Sequence, residues 1–286
     1  MSIGRIRSIH RYPVKSMQGE TLDASDLGTQ GLPGDRAWAV RDEVRGGIRG
    51  AKRFPELMGC AARYEQAPPA QGSAPARVTL PGGRELAVDD AALPGLLGDL
   101  VGSPVSVWPL VPADQLDHYR RGAPVLEDGE AELRRVFART ADEPLPKLEA
   151  FPRELFEFES PPGTYFDAFP LLIMTTTALT ELARLAPGHR FELPRFRPNL
   201  VVEPAQDGPF PELDWVGRRI AVGSAEVEVT MACPRCAMTT HAVAGLPRDP
   251  GIMRSLVKHT GGELGVYARV VSPGRVQRGD SVTLLD

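Results

Sequence analysis

Cys233-Pro234-Arg235-Cys236 sets two of the chain's three cysteines three positions apart, at the end of a run, Glu226-Val227-Glu228-Val229-Thr230, that reads as a strand. Two thiols at this spacing admit four chemistries. A structural zinc wants about four ligands, commonly from a second Cys-x-x-Cys or a spaced histidine pair. Here Cys60 is remote in sequence and the five histidines form no such pair. A thioredoxin-like pair opens a helix whose N-terminus favours thiolate. The segment Ala237-Met238-Thr239-Thr240-His241-Ala242-Val243 instead carries β-branched residues and offers no N-cap. Two buried, inert thiols are the default for cysteine, but Arg235 sets a cation beside them, and a neighbouring cation favours thiolate. The fourth reading is a single thiolate on a soft-accepting metal carried by a cofactor. It requires further residues able to hold an anionic group.

Four segments supply such residues. Tyr12-Pro13-Val14-Lys15-Ser16 places a lysine and a hydroxyl just after a strand. Asp35-Arg36 opens Asp35-Arg36-Ala37-Trp38-Ala39-Val40, whose alternation predicts a strand with Arg36, Trp38 and Val40 on one face. Thr175-Thr176-Thr177 stands at a predicted helix start, where free N–H groups favour a phosphate. Arg195-Phe196-Arg197-Pro198-Asn199 brings a guanidinium and an amide to the start of a strand. Each has a plainer reading as solvated cation, helix cap or turn residue, and spacing alone does not bring them together.

The elements that must position these residues are short. The 286 residues suffice for one or two domains. Twenty-nine glycines and 28 prolines favour turns and short strands over long helices. Ile3, Ile6 and Ile9 precede Tyr12-Pro13 and predict a first strand. Arg77–Leu80 and Glu85–Val88 flank Pro81-Gly82-Gly83 as a hairpin, and 105–108 is another strand. Residues 120–146 are charged and mixed, a connection between two parts. Leu171-Leu172-Ile173-Met174 predicts a strand running into a threonine-capped helix that stops at Pro187-Gly188. Strands follow near 200–203, 219–230, 267–271 and 281–285. The sum is mainly β with some α, a barrel or sandwich. A net charge of −4 gives no footprint for nucleic acid. No run reaches the ~18 apolar residues of a membrane span. No secretory signal opens the chain, and an odd cysteine count fits a reducing cytoplasm.

In this order and spacing the motifs Tyr12-Pro13-Val14-Lys15-Ser16, Gly34-Asp35-Arg36, Phe196-Arg197-Pro198-Asn199, Arg235-Cys236, Leu246-Pro247-Arg248-Asp249-Pro250 and Val276-Gln277-Arg278-Gly279-Asp280-Ser281-Val282 resemble the MOSC-domain family. The resemblance is to its branch with an N-terminal MOSC β-barrel region, that of the amidoxime-reducing components and their bacterial relatives. It covers nearly the whole chain. It implies an α+β fold: a β-rich N-terminal region over residues 1–120, a MOSC β-barrel with short helices over 121–286, and a cofactor cleft between them. It implies a molybdenum cofactor with Cys236 as metal ligand and catalytic residue. Lys15, Ser16, Arg36, Arg197 and Asn199 match positions that hold its pterin or phosphate, and Thr175, Thr176, Pro234, Arg235 and Tyr267 match further ones. Cys233 is a companion without an assigned role, and Cys60 reads as core. The implied activity is reduction of N-hydroxylated small molecules, N–OH to N–H, and His241 and His259 come into consideration as proton donors. A carrier of the cofactor or of sulfur, without reductase activity, is the alternative. With no cysteine after Cys236 the chain builds no iron–sulfur cluster, so electrons are expected from a separate protein. The membrane anchor of the mitochondrial relatives is not expected here.

Overall fold

The computed structural model describes residues 1–206 and 208–285. The first part of the chain runs through β1 (Ser2–Arg11), β2 (Glu20–Leu22), β3 (Ala24–Leu27), β4 (Trp38–Asp42), β5 (Ile48–Arg49), β6 (Ala61–Arg63), β7 (Arg77–Thr79), β8 (Glu85–Ala87), α1 (Leu93–Val101) and β9 (Val105–Pro109). A connection follows, with α2 (Leu116–Tyr119), α3 (Gly129–Phe137) and α4 (Glu154–Glu157). The last part holds β10 (Leu171–Thr175), α5 (Thr176–Leu185), α6 (Leu193–Phe196), β11 (Leu200–Pro204), β12 (Arg219–Val222), β13 (Ala225–Pro234), α7 (Gly251–Thr260), β14 (Glu263–Ser272), β15 (Gly274–Gln277) and β16 (Ser281–Leu284).

Seven strands close into a barrel in the order β11-β10-β14-β13-β12-β16-β1, with β1 returning to β11 and β2 attached to the far end of β1. Closure leaves these staves no free edge. The barrel core is aliphatic, with Ile6, Ile9, Ile173, Leu200, Ile220, Val227, Val266 and Val282 all buried. One stave therefore comes from the first eleven residues of the chain. Its isoleucines repeat every three positions where a strand alternates every two. The register slips between Ile6 and Ser8 against β11, and this bulge turns both Ile6 and Ile9 inward. β10 and β11 are parallel, so α5 and α6 form the crossover that joins them.

A second core, with Val14, Met17, Trp38, Phe54, Leu57 and Cys60, lies under two three-stranded sheets, β5-β4-β9 and β6-β7-β8. The anticipated hairpin is β7–β8. The strand anticipated from Asp35 begins only at Trp38. Asp35 and Arg36 form the turn before it, and Arg36 has φ 50°. A strand residue cannot take that value, so the alternation there reflects a turn running into a buried strand. The prolines and glycines keep helices short, the longest having ten residues. Among the described residues no helix is long and apolar enough to cross a membrane.

Candidate functional site

One cleft, with about 890 Å³ of atom-free space, is lined by residues from both parts of the chain. Lys15, Ser16, Arg36 and Lys52 come from the first part of the chain. Asp167, Arg195, Arg197, Asn199, Cys233 to Cys236 and Tyr267 come from the second. Of the residues anticipated from sequence, Lys15, Ser16, Arg36, Arg197, Asn199, Pro234, Arg235, Cys236 and Tyr267 all line it. Thr175 and Thr176 do not. Thr175 is fully buried; its hydroxyl donates to Glu212 Oε2 at 2.5 Å and accepts from the Ala178 N–H as the cap of α5. Thr176 borders a separate surface depression with Arg7 and Ser8. His241 and His259 also lie outside the cleft lining.

The cleft is built on backbone that ordinary residues avoid. Ser16, Arg36 and Arg197 have φ of 71°, 50° and 56°, a left-handed conformation that costs a non-glycine residue about 1–2 kcal/mol. Each is held by a bond that fixes its turn. The Ala51 N–H donates to Ser16 Oγ at 2.8 Å, the Arg36 N–H to Tyr12 O at 2.7 Å, and the Arg197 N–H to Leu193 O at 3.0 Å. A Cβ on Gly50 would stand 2.5 Å from Ser16 Oγ, so the glycine keeps the serine in place. Strain maintained at three positions around one cleft marks a functional site.

Tyr12, Asp35 and Asn199 are the frame. Asp35 is buried, pairs with Arg36, and accepts from the Tyr12 N–H at 2.8 Å and from Asn199 Nδ2 at 2.9 Å. Asn199 Oδ1 accepts from Arg36 at 3.3 Å and from the Leu172 N–H at 3.2 Å. The Arg36 and Arg197 guanidinium carbons stand 5.0 and 4.1 Å from the Tyr12 ring centroid. Burial pushes the Tyr12 phenol up to about 12, against the pull of both arginines. Arg197 donates to Met17 O, but its Nη2 is buried with no partner. Burial, with Arg36 beside it, pulls the Arg197 pKa down to about 10. Arg235 donates to Phe196 O at 3.1 Å and its Nε is likewise unpartnered.

Six cationic side chains line the cleft against one carboxylate, Asp167. Lys15 directs its ammonium to Tyr165 O at 2.8 Å, Asp167 at 2.9 Å and Ser160 at 3.4 Å. Its three donors thus tie down the 160–167 segment. Burial lowers the Lys15 pKa, with Asp167 opposing. Lys52 sits 3.6 Å from the other oxygen of Asp167. Burial works against the charge of both partners, but the two lysines hold Asp167 well below the usual carboxylate range, and Asp167 holds Lys52 above the usual lysine value. Arg195 lines the cleft but spends its guanidinium on the carbonyls of His241 at 2.8 Å and Pro247 at 2.7 Å. Sequence reasoning missed Lys52 and Asp167. The one available signal was a carboxylate inside Tyr165-Phe166-Asp167-Ala168-Phe169, an apolar run in which a charge requires a partner.

The two thiols differ. Cys233 is buried, and burial raises its pKa; Tyr267 hydrogen-bonds it. Burial also raises the Tyr267 phenol well above its ordinary value. Cys236 is half-buried at the cleft wall and precedes a short 3₁₀ turn, Ala237–Thr240. Cys60 lies in the other core, where burial raises its thiol to about 11. Among the described residues no three His, Cys, Asp or Glu side chains group to hold a metal ion. A metal at Cys236 would therefore bring most of its own ligands. The donor set fits a cofactor of that kind: one reachable thiol, an excess of cations, and two buried N–H groups without partners.

Residues 3–103 match the MOSC N-terminal beta barrel domain and residues 162–283 the MOSC domain. Mitochondrial amidoxime reducing component 2 of Bos taurus is 26% identical over 250 residues, 83% of this chain and 66% of its own length. The Macaca fascicularis protein of the same name is 42% identical over 77 residues, 27% of this chain and 21% of its own. The chain thus spans less than two thirds of these relatives. Among solved structures, the YUAD protein of Bacillus subtilis aligns over 98% of this chain and 94% of its own, with 13% identity and a TM-score of 0.45. Two family matches in succession, covering both sides of the cleft, show that the chain joins a MOSC N-terminal beta barrel domain to a MOSC domain.

Proposed function

We propose that this protein is an oxidoreductase that binds a molybdenum–pterin cofactor through Cys236 and reduces N-hydroxylated small molecules, N–OH to N–H. The observation that carries this reading is a single reachable thiol in a cleft of six cations and one carboxylate, where Arg197 Nη2 and Arg235 Nε are buried without partners. Buried donors of this kind are costly unless an acceptor meets them, and a phosphate-bearing pterin supplies acceptors. Arg36, Arg197 and Arg235 would take its anionic groups, with Ser16, Pro234 and Tyr267 along its length, while Asn199 and Asp35 hold Arg36 in position. When bound, the group supplies an electron pair and an open metal position. The reaction consumes two electrons and two protons and releases water. Asp167, kept ionised between two lysines, is not the proton source. Lys15, Lys52 and Tyr267 are proton-bearing groups of the cleft wall, and Tyr267 keeps its proton because of its burial. Three cysteines, with Cys60 in a core apart from Cys233 and Cys236, do not make the four thiolates of a typical iron–sulfur cluster. Electron delivery by a partner protein and a reducing compartment such as the cytoplasm, where free thiols persist, belong to this proposal.

The test is chemical. Chain purified from a cofactor-producing host should carry stoichiometric molybdenum and pterin. Cys236→Ala should lose the metal, and Cys233→Ala should keep it. Metal-free wild-type chain from such a host sinks the proposal. Metal-loaded chain that fails to reduce benzamidoxime with an artificial electron donor supports a cofactor carrier instead.

A further inference from the structure

Beside the cofactor cleft lies a second, larger recess with about 1450 Å³ of atom-free space. It is built by the connecting segment, which the proposed chemistry leaves without a task. One wall is α3, a nine-residue helix on which no residue is fully buried, although Leu133, Val136 and Phe137 face the recess. Phe151, Leu155 and Phe156 add further apolar lining. Phe156 is 58% exposed and Leu126 at the rim 40%. Most of the charged groups around it face partners within the protein: Arg121 and Arg49 share Glu159 at 2.8 and 3.7 Å, Arg135 meets Glu132 at 2.7 Å, and Arg53 meets Asp42 at 3.6 Å. Such a wall offers contact area and little attraction for a charged ligand.

Recess and cleft share four residues: Lys52, Phe137, Phe151 and Asp167. Their common boundary is thus two aromatic rings and one ion pair of 3.6 Å. A molecule lying across it meets apolar surface on one side, and on the other an ammonium that donates and a carboxylate that accepts.

We propose that this recess is the substrate subsite: it takes the uncharged apolar body of an N-hydroxylated compound and presents its polar N–OH end to Lys52 and Asp167 at the mouth of the cofactor cleft. The inference rests on the reductase reading for the reaction, and on the recess alone for the binding. Phe137 and Phe151 flank the passage, so a planar aromatic or compact branched body fits it better than a long flexible one. The segment that forms the recess connects the two halves of the cleft, so substrate and cofactor are held by one frame.

Two probes with the same head separate the terms, benzamidoxime with a ring and acetamidoxime with a methyl group. On the molybdenum-loaded protein, kcat/KM should favour benzamidoxime. Leu133→Asp should reduce that preference about tenfold or more, the scale on which apolar pockets discriminate. Phe156→Ser, at a position too exposed to matter for folding, should reduce it in the same direction. Saturation-transfer NMR on the same protein should show the benzamidoxime ring in contact with protein, and Leu133→Asp should abolish the contact. Ring contact that the variant abolishes, without turnover, leaves the subsite standing and defeats the reductase reading. Turnover with no ring contact, or with a preference that neither variant changes, overturns the subsite and leaves the reductase reading intact.

Discussion

Arg197 shows how a residue built for a ligand costs its own protein stability. Its guanidinium is 5% exposed, has Arg36 as a neighbour of like charge, and has its pKa pulled down to about 10, well below the ordinary arginine value, because burial disfavours the charged form. A cation with a depressed folded pKa destabilises the fold at every pH below about 10, and the cost fades only as pH rises from there toward the ordinary arginine value. At neutral pH the penalty is therefore in full force and insensitive to pH. An anion in the cleft would offset it. Two results follow for cofactor-free protein. Arg197→Met, similar in length and without charge, should melt higher than wild type, by on the order of 1 kcal/mol, as replacing costly buried charge often does. Inorganic phosphate should raise the melting temperature of wild type but not of this variant, because only the state with the open Nη2 gains from binding. A wild type indifferent to phosphate, or a variant that melts lower, would show that Arg197 is a structural tie to Met17 and no anion ligand.

At the scale of elements, the junction between β10 and α5 separates two uses of one threonine run. A helix start attracts phosphate and also needs a cap, and sequence cannot say which use prevails. Here the cap prevails at Thr175, because its hydroxyl also serves Glu212, a fully buried carboxyl whose pKa burial raises. Thr175→Val should cost about 1–3 kcal/mol in urea unfolding, from a lost cap and a buried carboxyl left without its hydroxyl donor. Thr176→Ala should stay within about 0.5 kcal/mol, as at most partly exposed positions. Loss of pterin from stable, folded Thr176→Ala would return the run to the cofactor site. The short strands β2, β3, β5, β6 and β15 were not legible from sequence, but the other strands, the hairpin β7–β8 and the β10–α5 unit were, because alternation, turn residues and caps are local signals. So were nine of the cleft residues, since each sits in a short motif. Lys52 and Asp167 were not, because each has a use only through a partner far off in sequence: Asp167 meets Lys15 across 152 positions. Arg36 was legible as a cleft residue but not as a turn, since alternation does not report a positive φ.

At the scale of the whole molecule, sequence order and spatial order part company at β1. It belongs to the N-terminal region by position, yet it is the stave that closes the barrel between β11 and β16. A second tie, β3 with β15, binds residues 24–27 to 274–277. A chain cut at residue 120 would leave β11 and β16 with open edges and remove Ile6 and Ile9 from the core. Two buried isoleucines contribute about 3–6 kcal/mol, against a total stability on the order of 5–15 kcal/mol. The unpaired edges would add a risk of aggregation. The fragment 121–286 should therefore lack a cooperative melting transition, while the full chain should unfold in one transition by circular dichroism and by tryptophan fluorescence. A fragment beginning at residue 121 but fused after a flexible linker to residues 1–12 should regain cooperative unfolding. If 121–286 melts cooperatively by itself, the barrel does not need its first stave, and the cleft joins two bodies that fold apart.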